Sequence, residues 1–186
     1  MEGIAVGRAG LVLQGIRQFT FYVDLVFFSE ENLSAYILSL KRSGYKLQAF
    51  GKWLRFVNDM QIDLWLSRTH LITESMMRRA KKLGENTGKL AVKLLAPQDI
   101  MIVDSQSWHA GDLDDMRAII EKTTVDWELV LSEVKQNMAE GVSRRVPLAL
   151  SYALERLRTK GVRIPDKVTN DLLQILSRQD LRKSSG

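Results

Sequence analysis

Two aspartates interrupt segments that otherwise have the composition of β-strands. Asp24 lies within residues 19–28 and Asp63 within residues 61–66, and the immediate neighbours of both are aliphatic. A carboxylate in an apolar segment is costly to bury unless a cation meets it. Carboxylates on neighbouring strands can share one Mg²⁺ with the phosphates of a substrate. The sequence therefore predicts a metal-dependent phosphate site.

A glycine turn precedes both aspartates. Gly7 ends a short apolar strand over residues 4–6 and leads into a helix over about 9–16. Alternation along the next strand places Thr20 and Tyr22 on the face that carries Asp24. This order of turn, helix and acidic strand favours a phosphate site over a structural aspartate.

The plainer interpretation of each aspartate is a side chain that faces solvent, caps a turn or pairs with an arginine. Arg17 and Arg55 are the candidates for such a pair. For either aspartate taken singly, this interpretation is the favoured one. The occurrence of two such residues after a glycine turn shifts the balance towards a metal site.

Charge is unevenly distributed along the 186 residues, whose net charge is +5. Residues 1–96 carry 14 Lys and Arg against 8 Asp and Glu, whereas residues 97–186 carry 13 against 14. A polyanion is therefore expected to prefer the first part. The basic run Arg78–Lys82 is interpreted as a solvated helix face, with an RNA contact as the alternative. The absence of cysteine excludes disulfides and thiolate metal sites.

The remaining pattern divides the chain into a mixed part, residues 1–96, and a helical part, residues 97–186. Further strands are predicted at residues 45–50, 52–57 and 90–95. Helices are predicted at residues 30–43, 73–83, 98–108, 112–122, 126–140, 145–159 and 166–178. The expected fold class is α+β, with a small mixed sheet flanked by helices. No apolar run reaches the roughly 18 residues of a membrane span, so we expect a cytoplasmic protein with no membrane partner.

The order of these motifs resembles the minimal nucleotidyltransferases of the DNA polymerase β-like superfamily. The likeness is strongest to a small prokaryotic branch that includes toxins of type IV toxin–antitoxin systems, and it covers roughly residues 3–136. The segments that carry it are Val6–Ala9, Leu13–Arg17, Thr20–Val26, Gly44–Tyr45, Ile62–Leu64, Pro97–Ile100 and Asp112–Asp115. The resemblance implies a nucleotidyltransferase-type core followed by a helical C-terminal region.

The resemblance also implies Mg²⁺-dependent transfer of a nucleoside monophosphate from a nucleoside triphosphate to an RNA or protein hydroxyl. It assigns metal binding to Asp24 and Asp63, and activation of the acceptor hydroxyl to Asp63. The residues expected to contact the nucleotide are Gly7, Arg8, Thr20 and Tyr22. The acids Asp112, Asp114 and Asp115 match an element that supports the site, and the alternative is an acidic first turn of a helix.

Three positions depart from the family pattern. Arg8 stands where the family has a small Gly or Ser, Tyr22 stands at the first metal-binding aspartate, and Asp104 lies near the place of a lysine. A phenol is a poor ligand for Mg²⁺. The alternative function is therefore a non-catalytic module that senses a nucleotide or binds a partner protein such as an antitoxin. A homodimer is a further expectation.

Overall fold

The computed structural model describes residues 2–49, 52–55, 60–67, 71–84, 91–107, 109–139 and 145–183. Residues outside these ranges include Asn58 and Asp59 between two predicted strands, His70, residues 85–88, Trp108 and Gly141. The chain divides into two compact units, Met1–Ile100 and Met101–Gly186. The predicted boundary lies between residues 96 and 97.

The first unit contains a mixed β-sheet. Its strands are β1 (Glu2–Val6), β2 (Tyr22–Phe27), β3 (Lys46–Ala49), β4 (Lys52–Arg55), β5 (Met60–Leu66), β6 (Lys81–Lys82) and β7 (Ala91–Leu94). The order across the sheet is β3-β4-β5-β2-β1-β7-β6. Two neighbouring pairs, β2 with β5 and β1 with β7, are parallel, while the other pairs are antiparallel. The α+β class with a mixed sheet and flanking helices is thus confirmed.

Helices connect the strands and make up the second unit. Their bounds are α1 (Gly7–Leu13), α2 (Glu30–Arg42), α3 (Glu74–Arg79), α4 (Pro97–Asp104), α5 (Ala110–Lys122), α6 (Trp127–Ala139), α7 (Val146–Thr159) and α8 (Asp166–Lys183). Division of the chain at Ile100 falls within α4. Within the described residues, no helix has the length and hydropathy that crossing a membrane requires.

One face of the sheet is covered by α2. The apolar residues of α2 recur at the spacing of one helical face, and they are Leu33, Tyr36, Ile37 and Leu40. They pack with Leu25 and Phe27 of β2 and with Ile62 and Leu64 of β5. Ser29 caps this helix, because its hydroxyl oxygen accepts a hydrogen bond from the Asn32 backbone N–H at 3.1 Å. Because side chains alternate along a strand, the remaining residues of β2 and β5 lie on the face of the sheet that α2 does not cover.

The basic segment is not one long helix. The predicted helix over 73–83 ends at Arg79, and Lys81 and Lys82 instead form the short edge strand β6 beside β7. Arg79 binds Asp99 of α4 through both carboxylate oxygens, with Nη2–Oδ1 at 2.7 Å and Nε–Oδ2 at 3.2 Å. The Asp99 side chain has no exposed surface. Arg79 is therefore part of a buried ion pair, whereas Lys81 and Lys82 are exposed.

The strand predicted over residues 19–28 is shorter than its composition suggests. It begins at Tyr22, and the aromatic side chains of Phe19 and Phe21 are 67% and 61% exposed. Aromatic residues favour strands because their side chains pack on a pleated surface. Among the residues that the structure describes, no such surface covers these two rings, and residues 19–21 are irregular instead of part of the strand.

The second unit is helical, as expected. Apolar side chains buried in it include Met116 and Ile119 of α5, Val130 and Val134 of α6, Leu150 and Leu154 of α7, and Leu172 of α8. Each pair recurs at a spacing of three or four residues, which places it on one helical face. Helix α8 extends to Lys183, beyond the end predicted at residue 178.

Candidate functional site

Asp24 and Asp63 lie side by side in the sheet. Their strands, β2 and β5, are parallel neighbours, and the two residues are direct partners in the register. Paired residues of adjacent strands point to the same face, with backbones about 4.8 Å apart. This face is opposite to the one that α2 covers. The two carboxylates that the sequence analysis singles out therefore meet on one surface.

Each carboxylate accepts a hydrogen bond from a side chain of β5. Trp65 Nε1 donates to Asp24 Oδ1 at 3.4 Å, and Gln61 Nε2 donates to Asp63 Oδ1 at 2.7 Å. Such bonds restrict the rotation of a carboxylate, as partners of metal ligands commonly do. Sequence reasoning did not assign Gln61 or Trp65 to the site. The signal that identifies them is the period of two along β5, which places both on the face of Asp63.

The junction of β1 and α1 lies next to Asp24. Val6 is the register partner of Asp24, and Gly7 follows with a φ of +55°. A Cβ atom at position 7 would lie 3.3 Å from Asp24 Oδ2. The absence of a side chain at Gly7 therefore leaves space beside this carboxylate oxygen. Glycine also adopts this backbone conformation without the strain that other residues incur.

The structure places the other predicted contact residues around this turn and along β2. Arg8 directly follows Gly7 and is partly buried. Tyr22 begins β2 on the face of Asp24 and is 54% exposed. The Thr20 hydroxyl donates to the Tyr22 carbonyl at 2.9 Å and accepts from the Tyr22 N–H at 3.1 Å. Thr20 precedes β2, so strand alternation does not place it on the face of Asp24 as predicted, and its hydroxyl instead fixes the backbone at the entrance to the strand.

Burial differs between the two carboxylates. Asp63 is 8% exposed, whereas Asp24 is only partly buried. Two like charges on neighbouring strands repel each other, and a cation between them removes that repulsion. Oxygen donors are the ligands that Mg²⁺ prefers, and it usually retains water and substrate phosphates as further ligands. The donor set, its orientation by hydrogen bonds and the space beside Gly7 therefore fit a magnesium ion.

A second group of acids lies in the helical unit. One ligand oxygen from each of Asp104, Asp112 and Asp115 lies within 4.8 Å of the other two, so these residues could hold a metal ion. Asp115 is 2% exposed and Asp104 is 9% exposed. Asp114, in contrast, is exposed on α5. Of the three acids quoted from α5, the structure thus brings only Asp112 and Asp115 into this group.

A cavity adjoins the acidic group within the same unit. Besides Asp104 and Asp112, residues lining it include His109, Tyr152 and Arg156. The Arg156 guanidinium lies 5.9 Å from the centre of the Tyr152 ring, at the distance of a cation–π contact. Sequence reasoning gave His109 no role, and the structure places it at the N-cap of α5 without a side-chain cap bond.

Solved structures similar to this chain include a nucleotidyltransferase-like protein. The chain is similar to an antigenic nucleotidyltransferase-like protein from Paracoccidioides brasiliensis, with 20% sequence identity and a TM-score of 0.44. The match covers 82% of this chain and 84% of that chain. No protein-family model and no curated protein matches the sequence.

Proposed function

We propose that the chain binds a nucleoside triphosphate with Mg²⁺ at Asp24 and Asp63 and transfers the nucleoside monophosphate to an RNA or protein hydroxyl. The observation that carries this proposal is the register pairing of the two carboxylates on parallel strands, beside the turn at Gly7. The family resemblance of the sequence motifs supports the same reaction class.

Each residue of the site has a defined role in this reaction. Asp24 and Asp63 hold the metal, which when bound neutralises charge on the phosphates. Gly7 gives the phosphates access to the turn, and Arg8 pairs with phosphate oxygens through its guanidinium group. Tyr22 borders the nucleotide on the face of Asp24, and Thr20 lies next to it at the entrance to β2.

The chemical step is an in-line displacement at the α-phosphorus. The acceptor oxygen forms a bond to phosphorus while the bond to the pyrophosphate leaving group breaks. The Asp63 carboxylate accepts the proton of the attacking hydroxyl, as a positioned carboxylate does in general base catalysis. The Gln61 amide orients Asp63 through the 2.7 Å hydrogen bond to Oδ1.

A non-catalytic nucleotide sensor is the second candidate, and Tyr22 favours it. This residue lies two positions before Asp24 on the same face, where the family pattern has another metal-binding carboxylate. Compared with a site of three carboxylates, a site with two carboxylates and a phenol offers one ligand fewer to a second metal ion. In this case the protein binds the nucleotide and transmits its presence to a partner protein.

Nucleotide titration followed by label transfer distinguishes these functions. Purified protein is titrated with ATP, GTP, CTP and UTP in the presence of Mg²⁺, and binding is measured by calorimetry. It is then incubated with each α-³²P-labelled nucleotide and bulk RNA. Transfer of label to RNA or protein supports the enzyme, whereas nucleotide binding without transfer supports the sensor.

Neutral variants locate the metal site. Asp24→Asn and Asp63→Asn should each abolish Mg²⁺-dependent nucleotide binding, while Asp114→Asn, an exposed acid of α5, should leave it unchanged. Asp115→Asn tests the acidic group of the helical unit. Loss of metal-dependent binding in Asp115→Asn with retention in Asp24→Asn would refute the site on the sheet.

A further inference from the structure

A basic residue lies next to the two carboxylates in the sheet. Lys52 of β4 is the register partner of Asp63 in β5, and Asp63 is in turn the partner of Asp24 in β2. Register partners on adjacent strands occupy the same face of a sheet. Lys52, Asp63 and Asp24 therefore form one row across three strands, on the face that α2 does not cover.

Distances within this row follow from sheet geometry. The β-carbons of directly opposite residues in an antiparallel pair lie about 4.5–5.5 Å apart. Position 52 is one strand away from Asp63 and two strands, about 10 Å, away from Asp24. The flexible four-carbon stem of a lysine lets its ammonium group reach partners at different places around its Cα. A charge at position 52 is thus within range of both the carboxylates and a ligand bound to them.

Other cationic residues of these strands lie further from the carboxylates. Arg55 is three residues from Lys52 on the same strand, so alternation places it on the opposite face. Lys46 shares the face of the carboxylates, but it lies on β3, one strand beyond β4. Among the described strands, β4 therefore provides the cationic residue whose register position adjoins Asp63 directly.

The charge of the site changes as it fills. Without metal, two like charges on neighbouring strands repel each other, and a cation beside Asp63 offsets part of that repulsion. Mg²⁺ at the same carboxylates repels an ammonium group. The triphosphate of a nucleotide brings several negative charges and attracts the ammonium group. The favourable partner of a lysine at this position therefore changes from a carboxylate to a phosphate.

We infer that Lys52 is an exchangeable counter-ion of the site: it pairs with Asp63 in the empty site and binds a phosphate oxygen once Mg²⁺ and nucleotide occupy it. This inference rests on the proposed function, because it concerns the same metal and nucleotide. It makes Lys52 both a competitor of the metal and a ligand of the nucleotide. Removal of its charge therefore changes the two affinities in opposite directions, which the loss of a merely structural residue does not do.

The first measurement is metal binding without nucleotide. The full chain is titrated with Mn²⁺, which suits the same oxygen ligands as Mg²⁺, and free Mn²⁺ is followed by electron paramagnetic resonance. Binding that persists in the double variant Asp24→Asn with Asp63→Asn is subtracted, since the acidic group of the helical unit could also take the ion. Lys52→Met should bind Mn²⁺ roughly threefold to tenfold more tightly, the effect of removing a unit charge several ångströms from a divalent ion in water-like surroundings.

The second measurement is calorimetric titration with ATP, GTP, CTP and UTP at saturating Mg²⁺. Lys52→Met should weaken nucleotide binding by roughly threefold to tenfold, because a charge beside the phosphates is lost. Lys52→Gln should behave as Lys52→Met does, and Lys52→Arg should retain both wild-type affinities because it keeps the charge. The matched control is Arg55→Met, which removes a charge from the opposite face of the same strand and should leave both affinities unchanged.

Any result in which the two affinities do not change in opposite directions overturns the inference. Weaker binding of both Mn²⁺ and nucleotide by the neutral variants would make Lys52 a structural residue. Equal effects of Lys52→Met and Arg55→Met, or failure of Lys52→Arg to retain both affinities, would show that the charge at position 52 is not the cause. In these cases the wild-type titrations still support the proposed function. Absence of Mg²⁺-dependent nucleotide binding by the wild type would refute the proposed function and this inference with it.

Discussion

At the scale of single residues, Gly7 matters because of what its missing side chain allows. Two separate constraints act there: a positive φ, and the 3.3 Å that would separate a Cβ from Asp24 Oδ2. Gly15 is under only the first constraint, since its φ is +72° and a Cβ there would meet no atom within 4 Å. The two glycines therefore separate the effect of backbone strain from the effect of lost space at the site.

We predict that Gly7→Ala and Gly15→Ala each lower the free energy of unfolding by about 1 kcal/mol, because a left-handed conformation is unfavourable for alanine. Only Gly7→Ala should also weaken Mg²⁺-dependent nucleotide binding, by at least about tenfold, a loss of about 1.4 kcal/mol in binding free energy. Urea denaturation and calorimetric titration measure the two quantities. Equal nucleotide affinities of the two variants would show that the space beside Asp24 does not serve the ligand.

At the scale of elements, the ion pair between α3 and α4 shows how neighbouring basic residues take different roles. Arg79 binds a carboxylate that has no exposed surface, whereas Arg78 pairs with Glu74 on the surface of the same helix at 3.5 Å. Removal of the Arg79 side chain leaves the buried Asp99 carboxylate without this ion pair, whereas removal of the Arg78 side chain leaves Glu74 in contact with solvent. Solvent screening makes exposed pairs of this kind weak.

We predict that Arg79→Ala lowers the free energy of unfolding by about 3 kcal/mol, the lower end for a broken buried pair, since part of Arg79 reaches solvent. Arg78→Ala should change it by less than about 1 kcal/mol. The double variant Arg79→Met with Asp99→Leu should regain part of the loss because it removes both charges. Similar denaturation midpoints for the two single arginine variants would contradict this assignment.

At the scale of the whole molecule, the two parts of the chain differ in net charge. The net charge of +5 comes from the first part of the chain, while residues 97–186 carry almost balanced charges. Lys81 and Lys82 are exposed in the first unit, and Lys135 and Lys160 are exposed in the second. Binding of a polyanion releases counterions and therefore weakens as salt concentration rises.

We predict that neutralising Lys81 and Lys82 together, each to Gln, weakens the binding of single-stranded RNA and makes it less dependent on salt. Each lysine that contacts a phosphate should change the slope of log K against log salt by about 0.7. The charge-matched control, Lys135→Gln with Lys160→Gln, should leave the slope unchanged. Anisotropy titrations over a series of KCl concentrations measure both pairs, and an equal change in slope would rule out a preference for the first unit.

The sequence by itself determined the features that depend on local pattern. Alternation along β2 is a property of neighbouring residues, and it predicted that Asp24 shares a face with Tyr22. Helix periodicity likewise predicted the helical second part. The composition wrongly predicted a strand at Phe19 and Phe21, because aromatic residues are typical of strands whether or not a neighbouring layer covers them.

Only the tertiary structure decided which distant residues meet. The register that sets Asp24 opposite Asp63 depends on pairing between strands separated by a helix and two further strands. The bond from Trp65 to Asp24 follows from that register, and the ion pair of Arg79 with Asp99 depends on how α3 and α4 pack within the first unit. Such contacts follow from chain topology and packing, which a local pattern does not encode.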